Sequence, residues 1–105
     1  MSFQTLYQSK RCTPEDAVDQ LRNGDFIIVP TGVGEPPTLL KALSAQRRRF
    51  QDIKVAQILA VRKFGYFETD TADHVRHMAF FFGGASRAGG QDGSVDFIPC
   101  SFSDI

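Results

Sequence analysis

Two short apolar stretches, Phe26-Ile27-Ile28-Val29 and residues 55–61 with Gln57 among them, constrain this 105-residue chain more than any other feature. Neighbouring residues of a strand point to opposite faces, so an unbroken apolar run belongs in a strand covered on both sides, as in parallel sheets lying between helices. Residues 26–29 are therefore expected to form an inner strand. Between the two runs, Pro36-Pro37-Thr38 opens a helix that turns Leu39, Leu40 and Leu43 inward and places Arg47, Arg48 and Arg49 at its negative end. Upstream, Thr13-Pro14-Glu15-Asp16 is a helix start: Thr13 caps free N–H groups, Pro14 suits the first turn, and two acids face the positive end of the dipole.

Further on, residues 78–82 read as a third strand broken by Gly83-Gly84, and residues 95–99 as a fourth ended by Pro99. Residues 85–94 between them are weakly helical at best, since Gly89 and Gly90 each cost about 1 kcal/mol relative to Ala in a helix. Residues 62–77 are polar, show no period and hold Glu68, Asp70 and Asp73, which predicts a long excursion over the sheet. The expected strands are thus near 26–30, 53–61, 78–82 and 95–99, with helices near 14–23 and 36–48. That alternation implies an α/β fold with a mainly parallel sheet and right-handed crossovers.

Composition removes several function classes. Twelve basic residues balance twelve acidic ones, so the electrostatic footprint of a nucleic-acid binder is missing, and the Arg47-Arg48-Arg49 triplet reads as a solvated helix terminus. The apolar runs fall far short of the roughly 20 residues that span a bilayer, and the first ten residues lack the pattern of a secretory signal. A cytoplasmic protein without membrane contact is the expectation. Cys12 and Cys100 are too few for a disulfide scaffold and lack metal-ligand spacing; free, buried or half-buried thiols are expected.

Chemistry is sparse. Gly32-Val33-Gly34-Glu35-Pro36 follows a predicted strand and precedes a predicted helix, which brings glycine N–H groups and a helix N-terminus near one point, an arrangement that suits an anion or a developing oxyanion. Pro37 stands where a dinucleotide fingerprint needs its third glycine, and no Gly-Lys-Ser/Thr follows to make a phosphate loop. A tight turn needing positive φ accounts for the pattern equally well. His74 and His77 are three apart, as two ligands on one helical face would be, yet beyond Asp73 they lack a Cys or carboxylate partner at metal-site distance, so a structural or hydrogen-bonding pair is expected and no metal. No Gly-x-Ser-x-Gly elbow presents a nucleophile, and Phe80, Phe81 and Phe82 read as core.

Taken in order, the opening helix, the strand, Gly32-Val33-Gly34-Glu35-Pro36 with its leucine-bearing helix, and His74-Val75-Arg76-His77-Met78-Ala79-Phe80-Phe81-Phe82-Gly83 resemble the N-terminal domain of the acetyl-CoA hydrolase/transferase family. The closing run Gly93-Ser94-Val95-Asp96-Phe97-Ile98-Pro99, then Phe102-Ser103-Asp104-Ile105, is similar to the family stretch Gly-Arg-Ala-Asp-Tyr-Val-Pro, then Leu-Ser-Glu-Ile. The resemblance implies a partial CoA-transferase-like domain spanning residues 1–105, truncated from a protein of two related α/β halves with the active site between them. It implies no permanently bound cofactor, coenzyme A thioester as substrate, and a small carboxylate as acceptor. A glutamate attacks the acyl-CoA, passes through an acyl-glutamyl anhydride and becomes a glutamyl-CoA thioester, so the activation of the thioester is conserved. That glutamate and most CoA contacts belong to the other half, so no catalytic residue is expected here. Only Gly32, Val33, Gly34 and Pro36 are carried over, as substrate-binding residues lining the cleft near the acyl group or carboxylate; Glu35 occupies a variable position of the pattern and is not the nucleophile.

The resemblance leaves a homo-oligomer or a complementing chain open. A second reading is a non-catalytic interaction module whose exposed sheet edge pairs with another chain. A third is a sugar-phosphate isomerase-like protein that uses the glycine turn for phosphate.

Overall fold

A computed structural model of the chain describes residues 2–105. Four parallel strands, β1 (Phe26–Ile28), β2 (Ile53–Gln57), β3 (Val75–Ala79) and β4 (Val95–Phe97), form one sheet in the order β1-β2-β3-β4. The α/β class and the parallel sheet are as the apolar pattern requires. Before β1 come α1 (Phe3–Lys10) and α2 (Pro14–Val18); α3 (Pro37–Ala45) joins β1 to β2, and α4 (Arg87–Asp92) joins β3 to β4. No helix among the described residues is long and apolar enough to cross a membrane.

Local chemistry sets the helix starts. The Thr13 hydroxyl accepts the Asp16 N–H at 3.1 Å, Pro14 fills the first position, and Glu15 and Asp16 lie in the first turn of α2. This helix ends at Val18 instead of reaching residue 23, because its continuation tightens into i→i+3 bonds from Gln20 to Ala17 and from Leu21 to Val18 before Gly24 turns the chain at φ 84°. Helix α1 was not expected at all. Ser2 caps it through the Thr5 N–H, and none of its residues is buried; Phe3, Leu6 and Tyr7 share one exposed face.

The core lies on one side of the sheet. Ile53, Val55, Val75, Ala79 and Val95 point from the strands toward Val18 of α2, Leu40 and Leu43 of α3, and Tyr66 and Phe67 of the β2–β3 connection. Each fully buried aliphatic side chain contributes about 1.5–3 kcal/mol relative to exposure. The opposite face is open, which corrects the expected two-sided burial of β1. Ile27 and Val29 face the core, whereas Phe26 is 56% and Ile28 80% exposed. β1 is an edge strand, and its apolar run has a covering layer on one side only among the described residues.

Two further expectations are corrected in the middle of the chain. The third strand occupies residues 75–79, not 78–82: Val75, His77 and Ala79 alternate inward while Arg76 and Met78 face outward, a period of two that polar residues concealed. Residues 62–74 are the expected long excursion over the sheet, but they are not polar throughout. They carry two 3₁₀ turns, Gly65–Phe67 and Thr69–Thr71, which bury Tyr66, Phe67 and Thr71. The Arg47 Nε donates to Thr71 Oγ1 at 2.9 Å, Arg48 pairs with Asp70 at 2.7 Å, and Arg49 pairs with Asp19, so the basic triplet is spent on contacts within the chain. Both cysteines are exposed, contrary to expectation: Cys12 lies in the α1–α2 linker and Cys100 beyond β4, where neither joins a packed element.

Candidate functional site

All four strands run the same way, so the turns that follow β1 and β2 meet at the carboxyl edge of the sheet, the usual place for ligands in open α/β sheets. The glycine segment forms a 3₁₀ turn, Gly32–Gly34, between β1 and α3. Gly32 has φ 60°, where a side chain would be strained, and the Val33 side chain is fully exposed at the tip. The Gly32 N–H donates to the Leu59 carbonyl, the Gly34 N–H to the Thr31 carbonyl and the Glu35 N–H to the Gly32 carbonyl, at 3.2–3.3 Å. Among the loop amides of residues 32–35, that of Val33 carries no such bond. Pro36 follows at the N-cap of α3, half-buried.

The turn is tied to the segment after β2. Thr31 Oγ1 donates to the Leu59 carbonyl and accepts the Leu59 N–H, both at 2.9 Å. Beneath it lies a group of buried polar side chains that sequence reading missed. The Glu35 side chain is 0% exposed; its Oε2 accepts from Gln57 Nε2 at 2.7 Å and from the Val61 N–H at 3.2 Å, while Arg62 Nη1 stands 3.7 Å from Oε1. Gln57 Nε2 also donates to the Pro30 carbonyl at 3.0 Å.

His77 and Tyr66 complete this interior. The His77 ring stacks on Phe67 with centroids 4.4 Å apart and sits 6.1 Å from the Tyr66 ring. Burial pushes the His77 pKa down to about 4, against a smaller opposing influence of Glu35, so the imidazole is neutral at pH 7. Burial, and secondarily Glu35, raises the Tyr66 phenol well above its ordinary value. His74 lies elsewhere: it precedes β3 and its Nδ1 is 2.7 Å from the Phe50 carbonyl. His74 thus stands just before β3 and His77 within it, not together on a helix, and the expected hydrogen-bonding pair is corrected, since His74 has a partner and, among the described residues, neither ring nitrogen of His77 does. No three His, Cys, Asp or Glu side chains among the described residues come together as a metal site.

On the open face, beside Thr31, runs a groove of about 470 Å³ lined by Phe26, Ile28, Pro30, Thr31, Ile58 and Phe80 among others. Its walls are almost wholly apolar, and it reaches the foot of the glycine turn.

The sequence model of the Acetyl-CoA hydrolase/transferase N-terminal domain matches residues 1–105. The chain belongs to that family. Among family relatives, 4-hydroxybutyrate coenzyme A transferase of Clostridium kluyveri is 30% identical over 105 residues, all of this chain and 24% of that protein. Succinyl-CoA:cyclohexane-1-carboxylate CoA transferase of Geobacter metallireducens is 32% identical over 104 residues, 99% of this chain and 24% of that protein. The crystal structure of RipA from Yersinia pestis superposes with a TM-score of 0.85 at 25% identity, over 97% of this chain and 26% of that one. This acetyl-CoA hydrolase/transferase chain thus spans about a quarter of the length of the curated relatives it matches.

Proposed function

We propose that this chain is the N-terminal portion of a CoA-transferase that moves CoA between an acyl-CoA and a short carboxylate of the acetate, butyrate or 4-hydroxybutyrate type, with the glutamate nucleophile outside these residues. One observation carries the reading: relatives named for CoA transfer to different carboxylates match this chain from end to end. In this reading Gly32, Val33, Gly34 and Pro36 form one wall of the site. The Val33 N–H at the exposed tip is the free donor that suits a carboxylate or thioester oxygen.

The geometry also supports keeping the nucleophile elsewhere. A carboxylate that attacks a thioester needs a free oxygen within reach of substrate, and the Glu35 side chain is fully buried with two donors on one oxygen. Coenzyme A enters as a substrate and not as a resident group, and the partner of this portion is the remainder of the enzyme, on the same or another chain.

A chimaera tests the proposal. Residues 1–105 replace the corresponding first quarter of the Clostridium kluyveri relative, and CoA transfer from acetyl-CoA to a panel of short carboxylates is followed beside the isolated chain. Transfer by the chimaera and none by the isolated chain is the expected result. Turnover by the isolated chain, abolished in Glu35→Gln, would place the chemistry in these residues and overturn the proposal, as would a folded chimaera without activity.

A further inference from the structure

We infer that Glu35 is a positioning residue: its buried carboxylate clamps the glycine turn after β1 to the segment after β2, and so fixes where the exposed Val33 and Gly34 backbone points. Three backbone segments converge on two side chains. Gln57, at the end of β2, donates through the same nitrogen to the Pro30 carbonyl just before the turn and to Glu35 Oε2 just after it, at 3.0 and 2.7 Å. Glu35 Oε2 also takes the Val61 N–H at 3.2 Å. The outer edge of the same junction is closed by Thr31 and Leu59, which exchange two bonds of 2.9 Å, and by the Gly32 N–H on the Leu59 carbonyl.

Why a carboxylate should stand there follows from the donors. The Gln57 amide points into a buried space and the Val61 N–H into a part-buried one, where an unpaired donor is costly. An apolar residue at position 35 would strand the Val61 N–H and one of the two Gln57 N–H groups. Glycine at 32 and 34 adds backbone freedom to the turn, so the stiffness needed to present an N–H group comes from this clamp together with the Thr31–Leu59 bonds. Only one oxygen is used. The other, Oε1, makes no hydrogen bond and faces the Arg62 guanidinium at 3.7 Å. A glutamine can therefore keep both bonds with its carbonyl oxygen, which separates a positioning role from a chemical one.

The clamp itself stands on geometry; its effect on carboxylate binding rests on the function proposed above. Amide hydrogen exchange of the 105-residue chain reads the clamp directly. The Val61 amide of the unmutated chain is expected to exchange slowly, unlike those of its exposed neighbours. Glu35→Met, similar in volume but without an acceptor, is expected to speed exchange at Val61 and Gly32 about tenfold to a hundredfold, with the β2–β3 ladder as internal control. Glu35→Gln is expected to restore protection to within about threefold. An unprotected Val61 amide in the unmutated chain, an unchanged one in Glu35→Met, or a Glu35→Gln chain as loosened as Glu35→Met would each overturn the inference. Should Glu35→Met not fold, the unmutated chain and Glu35→Gln still decide.

In the chimaera, Glu35→Gln is expected to keep kcat and the carboxylate KM, whereas Glu35→Met raises KM more than it lowers kcat. Loss of both to the same degree in Glu35→Gln argues for a chemical role and against positioning. A chimaera inactive with Glu35 in place would count against the function while leaving the exchange result to judge the clamp.

Discussion

Gly89 packs so closely on Val95 that a Cβ added to it would lie 2.3 Å from Val95 Cγ2. Gly90 is confined in the same way, with the Phe82 ring 2.5 Å from where its Cβ would be. The glycines that weaken α4 by propensity are what let it approach β4 and Phe82. In an open helix Gly→Ala stabilises by about 1 kcal/mol. Here Gly89→Ala is expected to destabilise by about 1–3 kcal/mol, the usual cost of overpacking a rigid core. Urea denaturation decides, and a midpoint at or above that of the unmutated chain would refute the packing account.

The buried His77 gives stability a pH dependence. Its pKa falls from 6.5 to about 4 on folding, chiefly through burial, so between those values the unfolded chain binds the extra proton. Stability therefore rises with pH through this window and falls on acidification, by an amount of about 3 kcal/mol for a gap of this size. Denaturation midpoints taken from about pH 7 to about pH 4.5 should show this slope, and His77→Leu should flatten it. An equal slope in the variant would assign the dependence to another group.

Arg76 and Asp96 form a forked pair across β3 and β4, Nε to Oδ2 at 2.7 Å and Nη2 to Oδ1 at 2.9 Å. The hydrogen bond from Arg76 is the main cause that holds the Asp96 carboxyl below its ordinary range. Its contribution is thus present above the unfolded carboxylate pKa and is lost as pH falls through the lower folded value. Because both side chains are partly exposed, Arg76→Lys, which cannot fork, should cost no more than about 1 kcal/mol and less at high salt. Chemical denaturation at low and high ionic strength measures both effects.

Cys12 and Cys100 are free and exposed. Both should react with a thiol reagent in the folded chain, without denaturant, and mass spectrometry should find two labels in the native state. A single label would mean that one of these loops is covered in solution.

The reading of the sequence succeeded where a signal is local and failed where it is relational. Val29 and Val55 lie within apolar runs, and Thr13 with Pro14 is a cap visible in four letters. The strand at residues 75–79 was misplaced because Arg76 and His77 read as loop residues until Asp96 and Phe67, from distant parts of the chain, give them partners. In the same way Phe64, Tyr66 and Phe67 marked residues 62–77 as partly buried, a signal outweighed by the acids around them. The glycine turn was legible from its place between strand and helix. Glu35 was not, since its partners Gln57 and Val61 lie 22 and 26 residues away and no local pattern announces a buried carboxylate. Helix α1 also carries a local signal, Ser2 as its cap and Phe3, Leu6 and Tyr7 on one face.

The strand order β1-β2-β3-β4 has a consequence for synthesis. Many α/β sheets insert a later strand between earlier ones, so their core waits for distant sequence. Here each strand pairs with the one made just before it, so no pairing has to wait for a strand from further along the sequence. At every stage the youngest strand offers an unpaired edge, and the next crossover sets how long it stays open to pairing with another nascent chain. One edge of the sheet is fixed at β1, while the other moves outward with each strand added.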